Sequence, residues 1–262
     1  MQTFNLGKHS LKFLDKGRGT PLLMIHGFPL TSSAWNRQVE VLEKKFRVIA
    51  PDLRGFGQSE AVGDATSMAD FADDLVALMS HLDLSSVVVM GHSMGGYVAL
   101  NLVTRFPEKI QGLILVGSKP GADSQEAAKK RHETAAKALD GGSEAILKDM
   151  AAKMVAKNST NKEMIVEIEK LMRPAQPRGL ANALRGMAVR PDSTPNLGHI
   201  TAPTLLISGD ADALIPCEES MTMAERIPKA TLEIIPAAGH LVSFEKASEF
   251  NAVLTRWFTR FL

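Results

Sequence analysis

The stretch VVVMGHSMGGYVAL, Val87 to Leu100, decides the fold because a strand meets a helix in it without an intervening loop. The initial valine run is β-branched and apolar, which is typical of a strand buried on both faces. Gly91 ends this run, and residues 94–106 have the composition of a helix. Ser93 lies at the corner, with Gly91 two residues before it and Gly95 two residues after it. The sequence therefore predicts a sharp strand-to-helix turn that presents one hydroxyl group.

This corner matches the G-x-S-x-G pattern of a nucleophile elbow, in the strand-to-helix context that the pattern requires. A strained backbone costs about 1–3 kcal/mol and calls for a functional reason. Glycine neighbours leave space for the turn. We predict that Ser93 Oγ projects at the top of the sheet as a nucleophile. The helix beginning at Met94 points its free N–H groups and positive dipole end at the same place.

The rest of the chain alternates between buried strands and amphipathic helices. This alternation predicts an α/β fold with a mostly parallel central sheet flanked by helices. Beyond the opening strand, buried strands are predicted over residues 22–25, 46–50, 110–117, 203–209 and 230–236. Helices are predicted over residues 34–43, 68–82, 94–106, 218–226 and 244–261.

Residues 118–199 interrupt this alternation. The segment is rich in Ala, Lys, Glu and Met and contains no recognisable strand, so it predicts several amphipathic helices. We expect residues 1–117 and 200–262 to form the core. Residues 118–199 would form a helical cap over the carboxyl ends of the strands, where such sheets bind ligands.

The cap should present an aliphatic surface to a bound molecule. From residue 107 to residue 243 there is no Phe, Trp or Tyr. Flexible methionines are expected to fill this side of the site or to form the inner faces of the cap helices. They are Met150, Met154, Met164, Met172 and Met187. Phe28, Trp35 and Phe244 are candidates for the opposite wall, or for the core.

A serine nucleophile needs a base, and the base needs a carboxylate that fixes its tautomer. In elbow enzymes these partners follow in the order Ser, Asp or Glu, His, each just after a later strand. His240 follows the strand at 230–236, and both Asp210 and Asp212 follow the strand at 203–209. We favour Asp212 over Asp210, because it lies further from the strand end on the turn leading to Pro216.

Two backbone N–H groups should bind the oxyanion that forms during attack on a carbonyl. One belongs to Met94, the residue after the nucleophile, and the other to Phe28 in the HGFP loop. Two further histidines, His26 and His92, are expected to hold the backbone around the site by hydrogen bonds.

Composition excludes several function classes. The formal net charge is +1, so the sequence lacks the excess of positive charge that is typical of proteins that bind nucleic acid or an anionic membrane. Cys217 is the only cysteine and permits neither an internal disulfide nor a cysteine metal site. The first residues lack the apolar stretch of a signal peptide, which favours a cytoplasmic location. The glycine-rich loop at residues 51–59 lacks the lysine of a P-loop, which argues against a phosphate-binding site there. We interpret the loop as structural and take Asp52 and Arg54 as a candidate ion pair.

Five motifs together resemble the α/β-hydrolase superfamily over essentially the full chain. They are HGFPLTSSAW (26–35), APDLRGFGQS (50–59), GHSMGG (91–96), GDADALIP (209–216) and AAGH (237–240). Within that superfamily the chain is most similar to small cofactor-free esterases, enol-lactonases and perhydrolase-like enzymes. The resemblance implies an α/β-hydrolase fold and a Ser93–Asp212–His240 triad. It also implies oxyanion roles for Phe28 and Met94, and no bound metal or organic cofactor.

We therefore expect a serine hydrolase that cleaves small or medium carboxylic esters or lactones through an acyl-enzyme on Ser93. Phe28, Met94, Leu214 and Leu241 are the candidate substrate-binding residues. Alternative interpretations are a perhydrolase or cofactor-free haloperoxidase, a carbon–carbon bond hydrolase using Arg185 or Arg190, and a ligand sensor that retains the triad. The sequence leaves the oligomeric state open.

Overall fold

The computed structural model describes residues 1–261, which form an eight-stranded sheet with helices on both faces. The strands are β1 (Gln2–Asn5), β2 (Ser10–Lys16), β3 (Thr20–Ile25), β4 (Phe46–Pro51), β5 (Val87–His92), β6 (Ile110–Val116), β7 (Thr204–Gly209) and β8 (Ala230–Ile235). Their order across the sheet is β1-β2-β4-β3-β5-β6-β7-β8. Strand β2 is antiparallel to both neighbours, and the pairs from β4 through β8 are parallel. The predicted mostly parallel α/β sheet is confirmed.

The helices follow the predicted periodic segments closely. They are α1 (Asn36–Leu42), α2 (Met68–His81), α3 (Met94–Arg105), α4 (Gln125–Lys137), α5 (Ser143–Lys153), α6 (Lys162–Met172), α7 (Pro177–Ala188), α8 (Cys217–Arg226), α9 (Val242–Glu245) and α10 (Ala247–Phe261). The helix predicted over 244–261 differs, because Lys246 adopts φ −125° and ψ 50° and separates α9 from α10. The helix predicted from residue 34 begins with a 3₁₀ turn at Ser32–Trp35.

Two hydrophobic layers cover the faces of the sheet. On one face α2 and α3 pack through residues such as Phe71, Leu75 and Leu102. On the other face α1 and α10 pack through residues such as Val39 and Trp257. All six residues of β5 are buried. The central strand that leads to Ser93 is therefore held between two apolar layers, which fixes the position of the corner.

The loop at residues 51–59 is structural, but its ion pair is not the one predicted. Arg54 binds Asp74 of α2 through both Nε and Nη2, and His9 Nε2 lies 3.1 Å from the same carboxylate. Asp52 instead accepts hydrogen bonds from the N–H and hydroxyl groups of Ser32 and from the N–H of Gln58. Asp52 turns toward the loop that follows β3, and Arg54 turns toward α2, so the two side chains have different partners.

Helices α4 to α7 all lie between β6 and β7, in the segment for which we predicted a helical cap. We call residues 118–199 the cap, and its limits remain a prediction. Helix α7 lies very close to the core, because a Cβ added at Gly179 would overlap the Gly55 backbone and one at Gly186 would overlap the carbonyl of Thr66. These two glycines allow backbone-to-backbone contact between cap and core.

Candidate active site

The corner between β5 and α3 has the strained backbone that the sequence predicts. Ser93 has φ 52° and ψ −114°, outside the regions that non-glycine residues usually occupy. Its N–H donates to the carbonyl of Val116 at 2.9 Å, and its carbonyl accepts from Ser118 Oγ at 3.0 Å. A Cβ at Gly91 would overlap the carbonyl of Gly95. Neighbouring strands and a glycine at this position therefore hold the serine in a conformation that costs about 1–3 kcal/mol.

Asp212 and His240 form a buried pair at the carboxyl end of the sheet. Asp212 Oδ2 lies 2.7 Å from His240 Nδ1, and both side chains are almost completely buried. Asp212 Oδ1 accepts hydrogen bonds from the N–H groups of Leu214 (2.8 Å) and Ile215 (3.0 Å). Asp210, the alternative carboxylate, is exposed. The structure therefore brings Asp212 rather than Asp210 to His240.

The environment of Asp212 favours its ionised form. Burial alone would raise the pKa of this carboxyl group. His240 and the two backbone donors outweigh burial, so that the pKa of Asp212 lies below its ordinary value. An ionised Asp212 accepting the Nδ1 proton leaves Nε2 of His240 as the nitrogen able to take a proton from another group.

Two histidines hold the backbone on either side of the site, as the sequence led us to expect. His92 Nε2 donates to the carbonyl of His240 at 2.9 Å. His26 Nδ1 donates to the carbonyl of Gly27 at 3.0 Å, and its Nε2 accepts from the N–H of Leu53 at 3.0 Å. Burial lowers the pKa of His92 to about 3, with nearby His240 adding to the effect. His92 is thus a neutral hydrogen-bond donor near neutral pH.

The loop after β3 packs against the corner and carries the second predicted N–H donor. Gly27 packs directly on His92, because a Cβ at position 27 would lie 2.6 Å from His92 Nδ1. The peptide bond between Phe28 and Pro29 is cis. Among residues 1–261, the N–H groups of Phe28 and Met94 form no hydrogen bond. Both donors are therefore available to a negatively charged oxygen beside Ser93, and their oxyanion role remains a prediction.

A cavity of about 150 Å³ contains both Ser93 and His240. It is lined by Phe28, Ser93, Tyr97, Lys119, Arg131, Met150, Met187, Leu214, Ile215 and His240. The lining includes Phe28 and Leu214 of the four substrate-binding candidates. Met94 and Leu241 are buried in the hydrophobic core instead, because α3 and the chain after His240 pack these side chains inward.

The sequence model for the alpha/beta hydrolase fold matches residues 20–247. The chain belongs to the α/β-hydrolase family. It is 31% identical to a pimeloyl-[acyl-carrier protein] methyl ester esterase of Chromobacterium violaceum, over 91% of this chain and 94% of that protein. It is also 31% identical to a 2-hydroxymuconate semialdehyde hydrolase of a Pseudomonas species, over 92% of this chain and 87% of that protein.

Among solved structures, a thermophilic esterase from Thermogutta terrifontis, determined with malate bound, is similar to this α/β hydrolase at a TM-score of 0.93. The two sequences are 37% identical, and the match covers 98% of this chain and 96% of that one. The family and the structural similarity establish a hydrolase fold and hydrolase class, and leave the substrate to be argued from the site.

The cap of this α/β hydrolase is bonded directly to both loops that carry Asp212 and His240. The N–H of Leu241 donates to the carbonyl of Met154 at 2.8 Å, and the N–H of Lys157 donates to the carbonyl of Ala211 at 3.1 Å. The end of α5 and the residues after it therefore act as a brace between the two loops. Nothing in the sequence identifies this contact, because it joins residues more than 50 positions apart.

Glu245 completes the brace and was given no role from the sequence. Its carboxylate accepts hydrogen bonds from the N–H of Gly239 (2.6 Å) and from the N–H of Ala156 (3.1 Å). One side chain thus joins the residue before His240 to the cap. Its position five residues after His240 is visible in the sequence. A carboxylate at that spacing does not by itself indicate a functional role.

The cap methionines divide between the cavity and the core. Met150 and Met187 line the cavity, whereas Met154 and Met172 are fully buried in the hydrophobic core. Trp35 is core, and Phe244 is buried under the guanidinium of Arg37, 3.8 Å from its ring centroid. Phe28 is the one of the three aromatic candidates that lines the cavity.

Three lining residues were not anticipated as part of the site: Tyr97, Lys119 and Arg131. Tyr97 lies on α3 one turn after Ser93, and burial raises the pKa of its phenol. Arg185 and Arg190, the candidate polar cap groups for a carbon–carbon hydrolase, do not line the cavity described above. Arg185 donates to the carbonyl of Asp64, and Arg190 binds Asp123.

Over residues 1–261, no helix is both long and apolar enough to cross a membrane. In the same range, no three His, Cys, Asp or Glu residues are grouped so as to bind a metal ion.

Proposed function

We propose that this α/β hydrolase cleaves carboxylic esters or lactones through an acyl-enzyme on Ser93. The observation that carries the proposal is the buried Asp212–His240 pair at 2.7 Å, whose histidine lines the same cavity as the strained serine. A serine, a histidine and a carboxylate in this arrangement are the parts of an acyl-transfer triad. The similarity to two proteins named as esterases adds support.

In the proposed reaction, Ser93 Oγ attacks the carbonyl carbon while His240 Nε2 takes the hydroxyl proton. Asp212 holds the Nδ1 proton and stabilises the imidazolium that forms. The N–H groups of Phe28 and Met94 bind the oxyanion. His240 then protonates the leaving alcohol, and water, deprotonated by the same imidazole, releases the acid from Ser93.

Replacing the nucleophile gives the direct test. Ser93→Ala should abolish turnover of short-chain 4-nitrophenyl esters and labelling by a fluorophosphonate, while circular dichroism and the unfolding midpoint remain close to those of the wild type. Ser85→Ala, at an exposed serine before β5, is the matched control and should retain full activity. Comparable turnover by Ser93→Ala and wild type would refute the mechanism.

Carbon–carbon bond hydrolysis is the second candidate, because one relative is named as a 2-hydroxymuconate semialdehyde hydrolase. Arg185 and Arg190 give it no support, since both have partners outside the cavity. A ring-cleavage product and a short ester, supplied to the same preparation, separate the two reactions by their relative kcat/KM.

The perhydrolase and sensor interpretations share the same three side chains and remain predictions. Adding hydrogen peroxide to the ester assay measures whether peroxide replaces water at the acyl-enzyme. Conversion of many substrate equivalents per protein molecule would contradict a sensor with a slow triad.

A further inference from the structure

An excess of positive charge lies beside the nucleophile. Asp123, whose side chain is 2% exposed, is surrounded by three cations. Arg131 Nε donates to its Oδ2, Arg190 Nη1 lies 2.7 Å from its Oδ1, and Lys119 Nζ lies 4.0 Å from the same oxygen. The cluster lowers the pKa of Asp123 although burial opposes this, so the carboxylate is ionised near neutral pH. One negative charge therefore faces three positive charges.

Arg190 is buried and binds other groups of the protein through both Nη atoms. Its side chain is 3% exposed and lies over the ring of Tyr97, 4.2 Å from the centroid. Besides binding Asp123, it donates to the carbonyl of Gly121 at 2.7 Å and to that of Met187 at 3.1 Å. Its two Nη groups are thus used inside the protein and its Nε is buried without a partner, so that Arg190 helps to dock the cap against α3 and does not line the cavity. Lys119 and Arg131 are the cations that do line it.

Lys119 and Arg131 both line the cavity that contains Ser93. The 4.0 Å separation leaves Lys119 Nζ outside hydrogen-bond distance of Asp123. Arg131 uses Nε for Asp123 and directs Nη1 to the sulfur of Met187 at 3.5 Å. Within the described chain, Arg131 Nη2 has no hydrogen-bond acceptor. Both side chains thus retain donors for a molecule bound beside the nucleophile.

A neutral aliphatic substrate would leave these cations poorly compensated. The other walls of the cavity are apolar, formed by side chains such as Phe28, Met150 and Leu214. A partly buried cation that loses water without gaining an acceptor is unfavourable, whereas a carboxylate restores charge-assisted hydrogen bonds. The arrangement matches a molecule with a reactive carbonyl at one end and an anion at the other.

A groove of about 790 Å³ between α4 and α5 lies beside this cavity. It shares Phe28, Arg131, Met150 and Leu214 with the cavity, so these four side chains border both spaces. Its rim adds Lys130, Lys137 and Lys153 against Asp140 and Asp149. The surplus of cations along the approach should favour entry of an anion.

We propose that the substrate is a small ester or lactone bearing a free carboxylate, which Lys119 and Arg131 bind while Asp123 positions Arg131. This inference rests on the proposed ester hydrolysis at Ser93 and narrows its substrate class. The carboxylate is recognised directly by the two cations, and the apolar walls hold the short carbon chain between it and the ester.

Matched pairs of esters test the proposal. Mono-4-nitrophenyl glutarate and 4-nitrophenyl pentanoate have five-carbon acyl groups that differ in the terminal carboxylate. O-butyrylglycolate and ethyl butyrate place the same difference on the alcohol side. Wild type should prefer the anionic member of at least one pair. In Lys119→Gln and Arg131→Gln, kcat/KM for that anionic ester should fall about tenfold or more, mainly through KM.

The neutral esters and a control variant show whether the effect is specific. Each neutral ester should change less than about threefold in the two variants. Lys129→Gln, at an exposed lysine of α4 that lines neither the groove nor the cavity, should change neither member of a pair by more than about threefold. Equal losses for charged and neutral esters, or no anionic preference in either pair, would overturn the proposal. Since Lys119 makes no hydrogen bond to Asp123, Lys119→Gln tests binding with little risk to folding.

A binding measurement separates this proposal from the proposed function. Glutarate should bind Ser93→Ala, and the added substitution Lys119→Gln should weaken that binding about tenfold in calorimetry. If wild type cleaves no ester but glutarate binding depends on Lys119, the function fails and the anion site stands. If esters are cleaved but glutarate binds both proteins equally or neither, the anion site fails and the function stands.

Discussion

The strand-to-helix corner at Ser93 and the outer cap helix α4 are constructed in opposite ways. In α3, which follows the corner, nine of twelve residues are buried, whereas Ala135 is the one buried residue among the thirteen of α4. The difference separates two tasks. Ser93, the proposed nucleophile, lies at the start of a densely packed helix, and Arg131, proposed to select the substrate, lies on a helix with a single buried residue.

The cap helices differ from one another in how far they are buried against the core. Helix α7 is as buried as the core, with eight of its twelve residues inaccessible, and residues 154–157 brace the two loops below. Two parts of the cap are therefore fixed to the core, while α4 forms one side of the groove. We expect substitutions in the fixed parts to alter catalysis or folding, and substitutions in α4 to alter selectivity.

The largest expected effect is a loss of kcat on removing the charge of Asp212, whose side chain is buried beside His240. Asp212→Asn removes the carboxylate that accepts the His240 Nδ1 proton and should lower kcat for 4-nitrophenyl esters roughly 10³- to 10⁴-fold. Asp210→Asn is the matched control, two residues away and exposed, and should change kcat by less than about threefold. The reverse ranking in steady-state kinetics would assign the acid to Asp210.

Gly186→Ala should break the docking of α7. The added Cβ would overlap the carbonyl of Thr66, so we expect a loss of about 1–3 kcal/mol in the free energy of unfolding, measured by urea titration. Gly121→Ala is the control within the cap, because a Cβ there meets no atom within 4 Å. Equal stability of the two variants would show that the cap is not held through this contact.

Glu245→Gln should weaken the brace between the cap and the His240 loop. The neutral amide makes weaker hydrogen bonds to the N–H groups of Gly239 and Ala156, so kcat should fall about three- to tenfold with little change in KM. Glu249→Gln, exposed at the start of α10, should behave as wild type. A change confined to KM would instead place Glu245 in substrate binding.

The smallest effect is a pH dependence of stability from His92. Its pKa of about 3 in the folded protein lies below the 6.5 expected after unfolding, so the unfolded chain binds more protons between these values. Stability from this group is complete above pH 6.5 and is lost as pH falls toward 3, with about 0.7 kcal/mol lost between pH 7 and pH 6. His26, also lowered by burial, acts in the same direction.

Urea unfolding at pH 7 and pH 6 should show this slope in wild type and a shallower slope in His92→Asn. His132→Asn, on the exposed surface of α4, should leave the difference between the two pH values close to that of wild type. If His92→Asn retains the full slope, the acid sensitivity originates elsewhere.

The sequence predicted the fold because its decisive signals are local. A valine run, a glycine-flanked corner and a helical stretch occupy only Val87 to Leu100, and the parallel sheet follows from repeating the same alternation. Residues at strand ends, such as Asp212 and His240, were identifiable because a parallel sheet collects those ends at one edge. The break at Lys246 was missed, since the apolar spacing continues across it.

By itself, the sequence determined which side chains reach the carboxyl edge of the sheet, because chain order and strand ends fix that placement. The sequence favoured Asp212 over Asp210, and the tertiary structure brings Asp212 to His240. Only the tertiary structure decided that Arg54 binds Asp74 rather than Asp52, and that Glu245 binds the cap. The physical reason is that hydrogen bonds and ion pairs depend on angstrom-scale geometry between segments far apart in the chain, where propensity and periodicity carry no information.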